Sequence, residues 1–139
     1  MNVTIDELMT ARVMMATPHQ SAGHVRGVIR EHGVSAMPVV DTEGRPVGIV
    51  TATDLLGDHA DGTPISTFMS TQVFTVPRYD QPHIAARVMR NHHLHHVVVT
   101  EDHKVVGMLS SFDLLKLVED HRFTMKQGPT PSKKGNKRT

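Results

Sequence analysis

The chain of 139 residues contains no cysteine and no tryptophan, and its aromatic residues are one tyrosine and four phenylalanines. The absence of cysteine excludes disulfide bonds and thiolate metal centres. No apolar run is long enough to cross a membrane and no signal-peptide pattern opens the chain, so we expect a soluble cytoplasmic protein. This length fits one ordinary domain that can bury its own core.

Charge is distributed unevenly along the chain. Residues 121–139 hold six of the fifteen Lys and Arg residues and no acid, whereas residues 1–120 hold nine basic and fourteen acidic residues, a formal net charge of −5. The basic end, residues 122–139, is poor in apolar residues, and we expect it to be a disordered tail. Nucleic-acid binding is disfavoured, because MKQGPTPSKKGNKRT has few charges and no aromatic residue among them.

The sequence contains an internal duplication. Shifting it by 60 and then 59 positions places ELMTARVMMATP on TFMSTQVFTVP, and RPVGIVTATDLL on KVVGMLSSFDLL. Matches at both ends of the alignment are the signature of a tandem repeat. We therefore divide the chain into a first repeat, residues 1–61, a second repeat, residues 62–121, and the basic tail, residues 122–139.

Each repeat predicts the order β-α-β-β-α. A β-rich run ends at a proline, an amphipathic helix follows, and two valine-rich strands lead into a second helix. A further short helix is predicted before each repeat, at Ile5–Met9 and Ile65–Met69. The predicted strands are Val13–Ala16, Met37–Asp41, Val47–Thr51, Val73–Val76, Val97–Thr100 and Val105–Ser110. This pattern predicts a mixed α+β fold.

The motif GIVTATD of the first repeat returns as GMLSSFD in the second. A strand that turns into a helix at Thr51 or Ser110 aims free backbone N–H groups and a hydroxyl at one point, which suits a phosphate. A carboxylate three residues later, Asp54 or Asp113, can accept both hydroxyls of a ribose. The same spacing also forms a plain helix-capping box, and for either motif alone the two interpretations are equally good.

The duplicated motif, with MPVVD or HVVVT before it, resembles the tandem cystathionine-β-synthase (CBS) domain, or Bateman module, here as a stand-alone pair. The resemblance covers residues 5–120 and implies two β-α-β-β-α repeats related by a pseudo-two-fold axis. It implies an adenine nucleotide as regulatory ligand between the repeats and no obligatory cofactor. By this resemblance Asp54 and Asp113 hold ribose, and Thr51 and Ser110 lie beside phosphate. The base pocket that it implies comprises Val13, Met14, Met15, Met37, Pro38, Val73, Phe74, Thr75, Val97 and Val98.

The stretch RNHHLHHVVVT places four histidines in five positions. It does not form a helical metal motif, because the three valines predict that a strand begins directly after it. We expect His92 to lie on the buried face of its helix, as we expect of His32 in the first repeat. His93 aligns with Gly33, at the position just past a helix where a left-handed residue is expected.

His95 and His96 stand where nucleotide-binding repeats of the regulatory gamma subunit of AMP-activated kinase carry His-Arg. The resemblance implies that both contact phosphate, with a titratable charge in place of the arginine. The first repeat has Ser35 and Ala36 at these positions, so we expect the two clefts to differ in affinity. The alternative is a metal site completed by a second copy of the chain at a symmetry axis.

No set of nucleophile, base and orienting residue is recognisable, so we expect no enzymatic activity. The leading hypothesis is a sensor of AMP, ADP, ATP or S-adenosylmethionine that transmits binding to an unknown effector protein. The resemblance also implies a homodimer, with Ile84–Met89 as a candidate contact surface. The alternatives are a ligand-free dimerisation or docking module, and a regulator linked to metal through His92–His96 or to nucleic acid through the tail.

Overall fold

The predicted order of elements is present twice in the computed structural model, which describes residues 3–121. The predicted disordered tail, residues 122–139, lies outside the described residues. None of the helices in the described part has the length and apolar character that a membrane span needs. The elements are α1 (Ile5–Leu8), β1 (Thr10–Ala11), α2 (Ala22–His32), β2 (Ala36–Val40), β3 (Pro46–Thr51), α3 (Ala52–Leu55), a 3-10 turn (Ile65–Thr67), β4 (Thr75–Pro77), α4 (Pro82–His92), β5 (His96–Glu101), β6 (Lys104–Ser110) and α5 (Ser111–His121).

The sheets have the same plan in both repeats and confirm the predicted α+β fold. The larger sheet has the order β1-β6-β5-β4, in which β5 and β6 form an antiparallel hairpin, β4 runs parallel to β5, and β1 runs antiparallel to β6. The smaller sheet is the antiparallel hairpin of β2 and β3. Single bridges stand where its outer strands would be, from Ala16 to Val39 and from Ser70 to Ile49.

The first strand of each repeat is shorter than its sequence predicts. The strand expected at Val13–Ala16 is reduced to the one bridge at Ala16, and the strand expected at Val73–Val76 is β4, which begins at Thr75 and includes Pro77. An edge position explains the proline, because β4 has only one neighbouring strand to which it can donate.

Turn and cap residues explain where the central elements begin and end. Ser21 Oγ accepts the N–H of His24 at the start of α2. Helix α2 ends at Gly33, with φ 65° and ψ 28°, and α4 ends at His93, with φ 56° and ψ 48°. The left-handed conformation predicted for His93 is therefore confirmed. The hairpin of β5 and β6 turns at Asp102 and His103, both with positive φ, as a two-residue type I′ turn requires.

Two hydrophobic cores hold the chain together, and each includes residues from both sides of the boundary drawn at residue 61. Ile5 and Leu8 of α1 are buried in the core of the second repeat, and Ile65 of the 3-10 turn is buried in the core of the first. The segment that precedes each repeat therefore packs against the other repeat. Burial of these side chains makes the two repeats depend on each other for stability.

Two expectations about helices are wrong, and a third, about a dimer contact, stays untested. His32 and His92 are exposed rather than buried, because the core face of each helix ends one turn earlier, at Ile29 and at Met89. The helix predicted at Ile65–Met69 is a single 3-10 turn. The surface proposed for dimer contact at Ile84–Met89 is largely core, with Met89 only 4% exposed.

Candidate functional site

Two clefts lie between the repeats, and we name each by the aspartate in its wall. The Asp113 cleft has a volume of about 400 Å³ and the Asp54 cleft about 540 Å³. The Asp113 cleft is lined by Thr10, Arg12, Val13, Met14, His32, Gly33, Val34, Ser35, Ala36, His96, Met108, Ser110 and Asp113. The Asp54 cleft is lined by Ile49, Thr51, Ala52, Thr53, Asp54, Ser70, Gln72, Val73, Phe74, His93, Leu94, His95, Val98 and the shared pair Ser35 and His96.

A capping box forms at the strand-to-helix junction in each cleft. Thr51 Oγ1 accepts the N–H of Asp54 at 3.1 Å, and Asp54 Oδ2 accepts the N–H of Thr51 at 2.9 Å. Ser110 and Asp113 make the same two hydrogen bonds, at 3.0 Å and 2.9 Å. The capping interpretation of the motif is therefore correct for both repeats, and the same four side chains also line the clefts.

The second carboxylate oxygen distinguishes the two aspartates. Asp113 Oδ1 lies 3.6 Å from Lys116 Nζ, which also donates to the carbonyl oxygen of Leu8 at 3.1 Å. Gly57 occupies the position of Lys116 in the first repeat, so Asp54 has no corresponding cation on its helix. The Asp113 carboxylate is therefore partly neutralised within its own repeat, whereas the Asp54 carboxylate is not.

His96 belongs to both clefts. It begins strand β5, is partly buried, and places Nε2 3.2 Å from Ser35 Oγ of the other repeat. Burial lowers the pKa of His96 below its ordinary 6.5; the neighbouring His95 lowers it further, and Asp113 acts in the opposite direction. His95 lines only the Asp54 cleft and is exposed.

The other two histidines of the run also lie near the Asp54 cleft: His92 packs on Phe74 of its wall, and His93 lines it. The ring of His92 stacks on Phe74, with ring centroids 4.1 Å apart and an interplanar angle of 29°. His93 itself lines the cleft, although its sequence position indicated only the end of a helix. The left-handed backbone at His93 turns the chain from α4 into the cleft wall, which a helical pattern does not reveal.

Half of the residues expected in the base pocket line a cleft. Val13 and Met14 lie in the Asp113 cleft, and Val73, Phe74 and Val98 lie in the Asp54 cleft. The other five, which lie outside both clefts, are Met15, Met37, Pro38, Thr75 and Val97.

Strand alternation explains two of the five exceptions. Met37 and Val97 point into the two cores, because successive side chains of a strand face opposite sides of the sheet. Pro38 is fully buried, and Met15 is 44% exposed outside the clefts. Thr75 lines a separate groove beside the hairpin turns.

Arg12 and His32 line the Asp113 cleft, although the sequence did not single out Arg12 and predicted only a buried position for His32. Arg12 follows β1 with φ 56°, a left-handed conformation that a residue with a Cβ rarely adopts. Its aligned residue in the second repeat is Gln72, which lines the Asp54 cleft. The only available signal was this difference between the repeats, because neither residue belongs to a recognised motif.

Among residues 3–121, no group of three or more His, Asp or Glu side chains is arranged to hold a metal ion. The alternative of a metal shared at a symmetry axis requires a second chain and stays a hypothesis. The chemistry that the clefts offer is hydrogen bonding by carboxylates, hydroxyls and imidazoles next to apolar walls, which is typical of small-molecule sites.

Two curated relatives from archaea match most of this chain. Uncharacterized protein MJ1404 of Methanocaldococcus jannaschii is 28% identical over 134 residues, which cover 84% of this chain and 32% of that protein. Uncharacterized protein MK0525 of Methanopyrus kandleri is 24% identical, covering 84% of this chain and 63% of that protein. The chain thus spans less than two thirds of the length of either relative.

Solved structures share the fold at lower identity. The CBS domain pair of protein MJ0100 in complex with 5′-methylthioadenosine and S-adenosyl-L-methionine has a TM-score of 0.78 at 22% identity, covering 87% of this chain and 99% of that one. CBSX2 in complex with AMP has a TM-score of 0.76 at 20% identity, covering 86% and 98%. A family model for the CBS domain matches residues 5–59 and again residues 65–120. The chain therefore belongs to the CBS domain family, as a tandem pair of CBS domains.

Proposed function

We propose that this chain is a regulatory sensor that binds adenosine-containing ligands in the Asp113 and Asp54 clefts. One observation carries the proposal: each strand-to-helix junction presents a hydroxyl and a carboxylate of one repeat to a cleft whose opposite wall comes from the other repeat. A ligand in either cleft contacts both repeats. Its binding energy can therefore depend on how the two repeats are arranged.

Capping and ribose binding by the aspartates are compatible. The capping box uses Oδ2 of Asp54 and of Asp113. An ionised carboxylate has about four lone-pair positions on two oxygens, so Oδ1 can accept from ribose hydroxyls while the cap persists. Thr51 and Ser110, together with His95 and His96, are then our candidates for the 5′ side of the ligand, where a nucleotide carries its phosphate.

The walls of the clefts support an adenine base as the apolar part of the ligand. Val13 and Met14 provide apolar surface in the Asp113 cleft, and Val73, Phe74 and Val98 provide it in the Asp54 cleft. Both volumes fall within the range of roughly 300–1,000 Å³ that is usual for small-molecule sites. The reported complexes of MJ0100 and CBSX2 contain adenosine compounds, which supports the same ligand class here.

We propose a regulatory rather than a catalytic role, with an effector protein that responds to the arrangement of the repeats. A ligand that binds two arrangements with different affinity shifts the population between them. A change in the arrangement of the repeats can be transmitted through the two cores, because α1 packs into the second repeat and the 3-10 turn packs into the first.

A homodimer is also proposed, with α5 as the contact instead of the helix face that is buried in the core. Phe112 is 77% exposed and Leu115 is 55% exposed, three residues apart on one face of α5. Leu56, at the position of Leu115 in the first repeat, is 85% exposed. Exposed apolar surface repeated in this way is typical of a protein–protein contact.

Sedimentation velocity tests the homodimer. We expect Phe112→Ser combined with Leu115→Ser to shift the chain toward monomer. Tyr79→Ser, at a 63% exposed aromatic outside α5, is the matched control and leaves the sedimentation coefficient unchanged. A wild type that is monomeric at all concentrations, or a double variant that dimerises like wild type, would contradict the proposed contact.

Thermal-shift measurements test the sensor proposal. Wild type is melted with AMP, ADP, ATP, adenosine and S-adenosylmethionine, and a bound ligand raises the melting temperature by mass action. Asp54→Ala and Asp113→Ala each remove one ribose contact, and Asp120→Ala, an exposed aspartate of α5, is the control. The proposal predicts a shift with at least one ligand that Asp120→Ala retains and that at least one cleft variant loses. No shift with any of these ligands would contradict it.

A further inference from the structure

The two clefts carry different fixed charges. Arg12 lines the Asp113 cleft, and Lys116 Nζ lies 3.6 Å from the Asp113 carboxylate. The aligned positions in the other repeat are Gln72 and Gly57, and no lysine or arginine lines the Asp54 cleft. Each of these two differences makes the charge of the Asp113 cleft more positive than that of the Asp54 cleft.

Arg12 is available to a ligand. Its side chain is exposed and forms no salt bridge within residues 3–121, whereas Arg26, Arg45 and Arg78 are each paired with a carboxylate. Its backbone is held at φ 56°, and unfavourable backbone conformations of this kind cluster at ligand sites. An arginine can bind a phosphate through two parallel hydrogen bonds and keeps its charge at every physiological pH.

The Asp54 cleft has the opposite character. Its one fixed charge is the Asp54 carboxylate, and its cations can arise only by protonation of His93, His95 and His96. His96 also lines the Asp113 cleft, together with Asp113, Arg12 and His32. The rest of its wall is largely apolar, with Ile49, Val73, Phe74, Leu94 and Val98. With neutral imidazoles this cleft disfavours a phosphate and favours an uncharged nucleoside.

We propose that the two clefts select adenosine ligands by charge: the Asp113 cleft binds a nucleotide, with Arg12 as the contact to its phosphate, and the Asp54 cleft binds an adenosine derivative that lacks phosphate. This proposal rests on the sensor function above and assigns a ligand class to each cleft. His32 adds a second, titratable donor to the nucleotide cleft. One chain thereby responds to two chemically distinct signals.

AMP and adenosine are the matched probes, because they differ only in the 5′-phosphate. Isothermal titration at about pH 8, well above the ordinary histidine pKa of about 6.5, keeps unperturbed imidazoles neutral. Arg12→Gln introduces the residue of the second repeat, Arg12→Lys keeps the charge, and Arg30→Gln is the control, at an exposed arginine outside both clefts. Asp54→Ala and Asp113→Ala identify the cleft that each ligand occupies.

We expect Arg12→Gln to weaken AMP binding about tenfold or more, the usual weight of a charged hydrogen bond, and to change adenosine affinity less than about twofold. Arg12→Lys retains part of the AMP affinity, and Arg30→Gln retains all of it. Asp113→Ala removes the AMP site, and Asp54→Ala leaves it intact. Gln72→Arg is expected to create AMP affinity in the Asp54 cleft.

Two results overturn this inference while the sensor function stands: AMP affinity unchanged in Arg12→Gln, or AMP binding lost in Asp54→Ala and retained in Asp113→Ala. Equal weakening of AMP and adenosine by Arg12→Gln also overturns it, because that pattern indicates a structural effect and not a phosphate contact. Failure of both probes to bind wild type overturns this inference, and the proposed function falls with it only if ADP, ATP and S-adenosylmethionine also fail to raise the melting temperature.

Discussion

Ser35 and His96 join the two repeats, with Ser35 Oγ 3.2 Å from His96 Nε2, and both side chains line both clefts. A ligand that contacts His96 from one cleft therefore acts on a hydrogen bond that belongs to the other cleft as well. This pair is therefore a direct connection through which occupancy of one cleft can affect the other.

The first prediction concerns the proton equilibrium of His96. Burial and the adjacent His95 lower the pKa of His96 in the ligand-free chain, and Asp113 opposes them. We expect NMR titration to give a pKa below 6.5, and Asp113→Asn to lower it further by removing the one favourable charge. A His96 that titrates at or above 6.5 would contradict the burial and contacts described for it.

The same shift predicts how stability depends on pH. A base whose pKa is lowered by folding binds its proton more readily when unfolded, so its contribution to stability is complete above about 6.5 and is lost as the pH falls through the folded-state pKa. Between about pH 7.5 and about pH 5.5, the free energy of unfolding measured in urea is expected to fall less for His96→Gln than for wild type. Equal losses would exclude His96 as a source of the pH dependence.

Nucleotide affinity is predicted to rise as the pH falls toward 6. A bound phosphate in the Asp113 cleft stabilises the imidazolium form of His96, so binding takes up protons. Titration with AMP in two buffers of different ionisation enthalpy measures this uptake, after allowance for the ligand's own phosphate, whose second pKa is about 6. The variant His96→Gln removes this contribution. Uptake equal to that of wild type would exclude His96 as its source.

Capping and ribose binding can be separated by two substitutions at one junction. Thr51→Ala and Asp54→Ala each remove one half of the capping box, and each is expected to cost about 1 kcal/mol of unfolding free energy. Adenosine has no phosphate, so its affinity is expected to fall strongly in Asp54→Ala and only slightly in Thr51→Ala. Parallel losses of stability and adenosine affinity in both variants would show that Asp54 acts only as a cap.

The glycine of the repeated motif is predicted to be more important for stability in the second repeat, at Gly107, than in the first, at Gly48. A Cβ on Gly107 would lie 2.7 Å from the carbonyl oxygen of Thr10, whereas the three atoms nearest to a Cβ on Gly48 all belong to the thioether side chain of Met69, the closest at 2.6 Å. Backbone cannot move aside as a methionine can, so we expect Gly107→Ala to cost about 1–3 kcal/mol and Gly48→Ala to cost less.

Chemical denaturation measures this difference between the glycines. Gly27→Ala is the control, because a Cβ there meets nothing within 4 Å and the site lies inside α2. A helical alanine at that position is expected to be neutral or to stabilise by up to about 1 kcal/mol. Equal costs at Gly48 and Gly107 would contradict the role assigned to the Thr10 carbonyl.

The features that the sequence predicted are those with a local physical signal. The duplication, the valine-rich hairpins, the helix starts at Thr51 and Ser110, and the left-handed turn at His93 all follow from residue type and spacing. Half of the residues predicted for the base pocket line a cleft, and the choice of residues did not use strand alternation. That alternation sends Val97 into the core and Val98 into a cleft.

The features that the sequence did not predict depend on the other repeat. Helix α1 has only four residues, and nothing in them indicates that Ile5 and Leu8 pack into the second repeat. Arg12 lines the Asp113 cleft because β1 pairs with β6 of the second repeat, a pairing of two residues that no periodicity reveals. His32, at the end of α2 in the first repeat, lines the cleft that contains Ser110 and Asp113 of the second, which the pattern of one repeat does not reveal.

The central claim, that an adenosine ligand binds between the repeats, is tested most directly by amide chemical-shift mapping with AMP at about pH 7, the physiological range. The account predicts shifts concentrated at Ser110 and Asp113 together with Val13 and Met14, from opposite walls of one cleft. Shifts confined to one repeat would contradict it, as would the absence of shifts with AMP and with each of ADP, ATP, adenosine and S-adenosylmethionine.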